Sequence, residues 1–157
     1  MNIKIRKANV KDIGIIFNFI KKLADFEKSP KEVTTNPDLI KKKIFQKNSN
    51  IFSLIALNND EPVGFAVYFF NYSTWTGKKG LYIEDLFIDH EMRRCGIGSS
   101  IMKSLLKIAI KNDCARMEFN VLDWNEDAIK FYQKFNAKPI QGWTIFRIER
   151  SSIEAII

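Results

Sequence analysis

The residues best suited to chemistry form one short run, Arg93-Arg94-Cys95-Gly96-Ile97-Gly98-Ser99. The pattern around it predicts a strand before the run and a long helix after it. At such a junction backbone N–H groups lack partners and the helix dipole is positive. Two glycines one residue apart let the backbone approach a ligand closely and aim consecutive N–H groups into one concavity. The two arginines add charge suited to phosphate. The run therefore reads as an anion cradle for a pyrophosphate, with a tight glycine-containing turn as the structural alternative. A dinucleotide fingerprint lacks its third glycine, since Ile101 stands there, and no Gly-Lys-Ser/Thr follows to make a nucleotide P-loop.

Other chemistry is limited by counts. There is one histidine, His90, and two cysteines, Cys95 and Cys114, among 157 residues. A disulfide framework, a Cys/His zinc site and a Cys-x-x-Cys redox centre are excluded, and no metal is expected. His90 is the single candidate for a catalytic triad, but a loop histidine is usually solvated. Net charge is +7, from 25 Lys+Arg against 18 Asp+Glu. The lysines are scattered, with Lys41-Lys42-Lys43 the only run, so neither nucleic acid nor a membrane is an expected partner. No window approaches the ~18 consecutive apolar residues of a membrane span. The opening Met1–Arg6 lacks a signal-peptide core, which leads to the expectation of a cytoplasmic protein.

The elements that must position the run can be read from periodicity. A strand is expected over residues 3–8, and a helix over 11–25 with Asn9 as cap and Asp12 in its first turn. A second helix should start at Asn36-Pro37. Residues 51–57 and 63–70 should form a hairpin about the turn Asn58–Glu61, followed by a loop holding Trp75, Gly77 and Gly80. A strand over 81–88, a helix over 98–111 and a strand over 117–122 form a right-handed parallel crossover. A helix over 126–135 and a strand over 143–148 complete the order β-α-α-β-β-β-α-β-α-β. One α/β (α+β) domain spanning residues 1–157 follows, a three-layer arrangement with a mixed central sheet and helices on both faces.

Arg-x-x-Gly-x-Gly between a strand and a long helix resembles the acetyl-CoA pyrophosphate loop of the GNAT N-acetyltransferases. Asp123-Trp124-Asn125-Glu126 followed by Ala128-Ile129-Lys130-Phe131-Tyr132 resembles that family's other signature. Leu23-Ala24-x-Phe26-Glu27, Trp75-Thr76-Gly77-Lys78, Leu81–Phe87 and Gly142–Ile148 are together similar to the spermidine/spermine N-acetyltransferase branch, which includes the thialysine enzymes. The likeness covers nearly the whole chain with its motifs in order.

The resemblance implies that acetyl-CoA is held by Leu86, Phe87 and Ile88 along the third strand of that sheet region, by Arg93, Arg94, Cys95, Gly96, Ile97, Gly98 and Ser99, and by Asn125 and Ala128. It implies that Tyr132 faces the coenzyme sulfur. Attack of an amine on a thioester expels a thiolate, which a phenol can hydrogen-bond or protonate. It also places Glu84 in the substrate channel. An alkylammonium, with pKa near ~10, must be attracted and relieved of a proton, and a carboxylate can do both. Strand alternation turns the neighbouring Asp85 to the opposite face unless a bulge intervenes. Phe26, Glu27 and Trp75 would wall and anchor the rest of the amine, Trp75 through cation–π contact. Cys95 is not expected to act as a nucleophile, because transfer to an amine needs no covalent enzyme intermediate.

Two departures bear on the acceptor. The polyamine enzymes carry acidic residues where this chain has Ser73 and Gln141, and the stretch from Tyr132 to Trp143 is shorter. A short diamine or a lysine analogue then stands beside spermidine as acceptor, with a protein amine, a non-catalytic CoA-binding module and a nucleic-acid binder as competing readings. The branch also implies a homodimer; the apolar tail Ile153, Ile156 and Ile157 fits a partner contact and equally fits packing on its own chain.

Overall fold

The computed structural model describes residues 1–156, which divide into two compact units, Met1–Asn120 and the segment from Val121 onward. The first unit runs β1 (Ile3–Lys7), α1 (Ile13–Phe26), α2 (Pro37–Ile44), β2 (Ile51–Asn58), β3 (Glu61–Ser73), β4 (Lys78–Ile88), α3 (Ile97–Lys111) and β5 (Arg116–Phe119). The sheet order is β1-β2-β3-β4-β5, antiparallel throughout except for the parallel β4–β5 pair across α3. This is the expected mixed sheet with its crossover.

Local chemistry sets the boundaries. Asn9 caps a single turn, Val10–Asp12, accepting from the Lys11 N–H at 2.9 Å, while Asp12 Oδ2 accepts from the Asn9 N–H at 2.7 Å. Asp12 does more than complement a dipole. Its buried carboxylate takes both arms of Arg6 on β1, at 2.7 and 2.8 Å, and so fixes the entry to α1. Asn36 caps α2 through the Leu39 N–H, with Pro37 at the first helical position. The β2–β3 hairpin closes on Asn59 and Asp60, both left-handed, as a two-residue turn requires.

The loop expected around Trp75 contracts to a four-residue turn closed by the Gly77 N–H on Ser73 O at 2.8 Å. Gly80 therefore lies inside β4. It is glycine because a Cβ there would collide with the Asn71 side chain and crowd Arg116.

Helices α1 and α2 cover one face of the sheet. Ile16, Phe19 and Ile40 pack with Ile55 and Leu57 of β2, Phe65 and Val67 of β3, and Phe87 of β4. The alternate residues Leu54, Ala56 and Ala66 face the other way, where α3 buries Ile97, Ile101, Met102 and Leu105. Burial of side chains this large on both faces is what makes the layers cohere.

The second unit holds α4 (Glu126–Gln133) and α5 (Arg150–Ile156). The strand expected over 143–148 does not form. Trp143, Ile145, Phe146 and Ile148 are all exposed, Phe146 by 89%. A strand needs a ladder partner for its backbone, and an alternating apolar pattern supplies none. The tail coils instead into α5, held by Arg150 Nε on Glu154 Oε1 at 2.6 Å. Ile157 lies outside the described residues.

Candidate active site

The glycine run is built as a donor-rich turn. Arg94 and Gly96 adopt left-handed backbone, with φ of 62° and 81°, on either side of the exposed Cys95. Gly96 is the cap of α3, and its carbonyl accepts from the Ser100 N–H at 3.0 Å. The N–H groups of Ile97, Gly98 and Ser99 thus precede the first intrahelical bond, at the positive end of a fifteen-residue helix. A Cβ on Gly96 would meet nothing within 4 Å, so the turn needs glycine for its φ alone and stays open to a ligand. The buried Ile97 side chain roots the loop in the core.

Beside this loop β4 outruns its parallel neighbour. The β4–β5 ladder stops at Ile83 opposite Phe119, whereas Leu86, Phe87 and Ile88 continue pairing with β3 at Ala66, Phe65 and Gly64. One edge of Glu84–Ile88 therefore lacks a β5 partner. An extended ligand arm can take up its backbone groups there, with an anionic end on the α3 loop. These features fit the pyrophosphate and pantetheine parts of a coenzyme A.

The carboxylates meet at the same stretch. A bulge interrupts the β3–β4 register: Val67 faces Asp85 and Tyr68 faces Ile83, which leaves Glu84 as the extra residue. Glu84 is exposed and Asp85 is half-buried, on the α1 side that Phe87 also faces. Burial pushes the Asp85 carboxyl up to about 7, with the charges of Glu84 and Glu27 adding to the rise. The Asp85 carboxylate has no side-chain hydrogen bond or ion pair among the described residues, while its backbone pairs with Val67 of β3. Glu27, just past α1, is half-buried, and burial raises its carboxyl as well. Three carboxylates thus share one neighbourhood, in which Asp85 bears the largest electrostatic cost. A cation entering this place would be welcome. Among the described residues, no group of three or more His, Cys, Asp or Glu side chains is disposed to hold a metal.

The remaining expected residues fall unevenly. Phe26 is half-buried at the end of α1, close to Glu27 as the sequence implied. Arg93 lies with its guanidinium over the Phe26 ring, 4.4 Å from the centroid, while Arg94 is exposed. Trp75 is not part of this wall within the chain. It sits 88% exposed in the turn before β4, about 20 Å along the strand from Glu84 at ~3.3 Å per residue. Ser73, at the position where the resemblance expects an acid, is buried and accepts from the Thr76 N–H at 3.3 Å, so it closes the turn. His90 is exposed.

In the second unit Asn125 caps α4, accepting from the Ala128 N–H at 3.2 Å. Its side-chain oxygen takes that N–H with one of its two lone pairs, and its amide NH2 offers two donors to a ligand. Tyr132 is buried, its ring edge-on to Phe131 at 5.1 Å, and burial pushes its phenol up to about 12. It remains a neutral O–H donor across the physiological range.

Sequence reasoning named Glu84 but gave Asp85 no role. The available signal was the pair of adjacent carboxylates on a strand, one of which must turn inward. Nothing in the sequence announced where Arg93 would point.

Comparison with known proteins places this geometry. Residues 17–137 match the acetyltransferase (GNAT) family. A thialysine N-epsilon-acetyltransferase of Sus scrofa is 32% identical over 99% of this chain and 97% of its own length. One of Caenorhabditis elegans is 33% identical over 88% and 86%. A human spermidine/spermine N(1)-acetyltransferase-like protein is 35% identical over 96% of this chain but only 23% of its own length. Among solved structures, an integron cassette protein from the V. cholerae mobile metagenome matches with a TM-score of 0.81 at 24% identity, over 99% of this chain and 98% of its own. A ribosomal-protein-alanine N-acetyltransferase of Brucella melitensis follows the same fold with a TM-score of 0.73 at 18% identity, over 94% and 99%. The chain belongs to the GNAT family and is an acetyl-CoA-dependent N-acetyltransferase.

Proposed function

We propose that the chain, as a single catalytic domain, moves acetyl from acetyl-CoA to a primary amine of a small diamine, polyamine or thialysine-like substrate by direct attack. The observation that carries this reading is the group Glu27, Glu84 and Asp85 beside the open edge of β4. A cluster of three carboxylates, one of them half-buried and raised by that burial and by the charges of the other two, favours an acceptor that arrives as a cation. The names of the thialysine and spermidine/spermine relatives support the same acceptor class.

In this mechanism the α3 loop residues Arg94–Ser99 hold the pyrophosphate through backbone N–H groups and charge. Leu86, Phe87 and Ile88 offer backbone groups to the pantetheine arm, and Asn125 adds its amide. Phe26 walls the amine and Glu27 anchors its second ammonium. Glu84, with Asp85 beside it, takes the proton from the reacting ammonium, directly or through water. The neutral amine then attacks the thioester carbonyl, and as the carbon–sulfur bond breaks the nitrogen gives up its extra proton to water while CoA leaves as the thiolate. Tyr132 hydrogen-bonds the departing sulfur. A phenol near 12 is a poorer acid than a thiol near ~8.5, so it stabilises the thiolate mainly by donation rather than by complete proton transfer. Positioning and electrostatics do most of the work.

We further read the protein as a cytoplasmic homodimer that binds neither nucleic acid nor membrane. The exposed Trp143, Ile145, Phe146 and Ile148 support a partner contact. No described helix is long and apolar enough to cross a membrane.

The test is acetyl-CoA-dependent thiol release with putrescine, spermidine, spermine, thialysine, lysine and a histone-tail peptide. Turnover of a small amine, largely lost in Tyr132→Phe, is expected. Turnover of the peptide alone overturns the acceptor class. CoA binding without any acetylation overturns the catalytic reading.

A further inference from the structure

We propose that Arg93 is a positioning residue that locks the amine-side wall to the coenzyme loop, and is not a ligand of the phosphates. The proposal rests on the function proposed above, in which Phe26 and Glu27 face the amine and the α3 loop faces the coenzyme.

Three contacts define the lock. The Arg93 guanidinium carbon stands 4.4 Å from the Phe26 ring centroid and 5.5 Å from that of Phe87, and Nε donates to Ile88 O at 3.2 Å. One side chain therefore touches the end of α1, the core side of β4 and the backbone where β4 ends. The adjacent backbone explains why the two arginines part company. Arg93 is extended, with φ −70° and ψ 158°, and Arg94 turns left-handed at φ 62°. Arg93 is consequently half-buried against the aromatic rings, while Arg94 is the more exposed of the two.

A second tie runs parallel to the first. Lys22, one helical turn before Phe26 on α1, places Nζ 2.6 Å from Asp89 Oδ1 just after β4. Asp89 is itself anchored by its N–H on Val63 O at 3.0 Å. The last turns of α1 are thus fastened by two cations to the segment that leads into the α3 loop.

Arginine suits this position and lysine does not. A planar guanidinium can stack on aromatic rings while its Nε, in the same plane, reaches a carbonyl; an ammonium offers a point charge on a flexible stem. The lock holds the Phe26 and Glu27 end of α1 at a fixed place beside the coenzyme loop. Losing the guanidinium should harm amine recognition first.

The experiment uses the full chain and separates two readouts: acetyl-CoA Kd by calorimetry, which needs no turnover, and amine KM and kcat at saturating acetyl-CoA. Arg93→Ala should raise amine KM about tenfold, the scale of a partly desolvated cation–π contact, and change acetyl-CoA Kd by less than about threefold. Arg93→Lys should not rescue the loss. Phe26→Leu should reproduce it, and the double variant should add little to either single change, as for partners in one contact.

A tenfold or larger rise in acetyl-CoA Kd with amine KM unchanged would make Arg93 a phosphate ligand and overturn the proposal. Rescue by lysine, or fully additive effects with Phe26→Leu, would overturn it too. If Arg93→Ala does not fold, Arg93→Lys and Phe26→Leu carry the same comparison and decide it in the same way. Failure of the unaltered chain to acetylate any amine is the distinct failure of the functional reading, and the Kd comparison then still decides whether Arg93 binds phosphate.

Discussion

Replacing Asp85 by asparagine should make the protein more stable and less active at the same time, and only above a certain pH. The carboxyl sits at about 7 in the folded chain instead of its ordinary 3.8. At about 1.4 kcal/mol per pH unit, keeping it ionised in the fold costs about 4 kcal/mol, an upper figure because burial of this group is incomplete. The unfolded chain ionises Asp85 near 4, whereas the folded chain holds its proton until about 7. Its contribution to stability is therefore fully present below pH 4, falls as pH rises, and is gone above 7. The asparagine amide never ionises, so urea denaturation of Asp85→Asn should show a gain of about 2 to 4 kcal/mol at pH 8 and little change at pH 4. Activity should move the other way. Wild-type kcat/KM for a diamine should rise through an apparent pKa near 7, as Asp85 loses its proton and attracts the ammonium, and this limb should vanish in the variant. Diamine binding at pH 6 should release a proton, visible as a dependence of calorimetric heat on buffer ionisation enthalpy. A variant equally destabilised at pH 4 and pH 8, with the limb intact, would refute the reasoning.

Other substitutions probe the frame. Asp12→Ala removes the carboxylate that holds both arms of Arg6 and the Asn9 N–H. The expected loss is about 2 kcal/mol in chemical denaturation, less than for a fully buried pair because the Arg6 side chain is 37% exposed. The hydrogen bonds from Arg6 hold the Asp12 carboxyl below its ordinary value, so this stability is present above pH ~4 and lost as pH falls through the lowered pKa; the variant should lack that acid transition. Gly80→Ala forces a Cβ onto Asn71 and Arg116 and should cost about 1 to 3 kcal/mol by thermal unfolding, while Gly96→Ala meets no neighbour and should cost only the ~1 kcal/mol of a left-handed backbone. Tyr132→Phe should keep the fold and the acetyl-CoA affinity but lower kcat about a hundredfold; the wild type should show no alkaline limb from Tyr132 below about pH 11, since its phenol lies near 12.

Much of the frame was legible because its signals are local. The apolar spacing from Ile13 to Leu23 predicts α1, Asn36-Pro37 starts α2, and Asn58–Glu61 turns the hairpin, each through a few neighbouring residues. The glycine run before α3 was legible for the same reason, since left-handed φ at Gly96 and open N–H groups at a helix start follow from short-range sterics and hydrogen bonding. Family resemblance added the coenzyme and the amine to that reading.

What the tertiary structure decided depends on partners distant in sequence. Alternation alone separates Glu84 from Asp85, but the bulge opposite Val67 and Tyr68 leaves one exposed and presses the other toward α1. The rise of Asp85 to about 7 comes first from desolvation, then from Glu84 and from Glu27 on another element. Two adjacent arginines look alike in sequence, yet the rings of Phe26 and Phe87 claim one of them. Trp75 reads as a cation–π wall and ends in solvent, because the hairpin it tips carries it away from β4's far end. The alternating Trp143–Ile148 remains unpaired for the plainest reason: a strand's hydrogen bonds belong to two segments, and a one-dimensional pattern can specify only its own half.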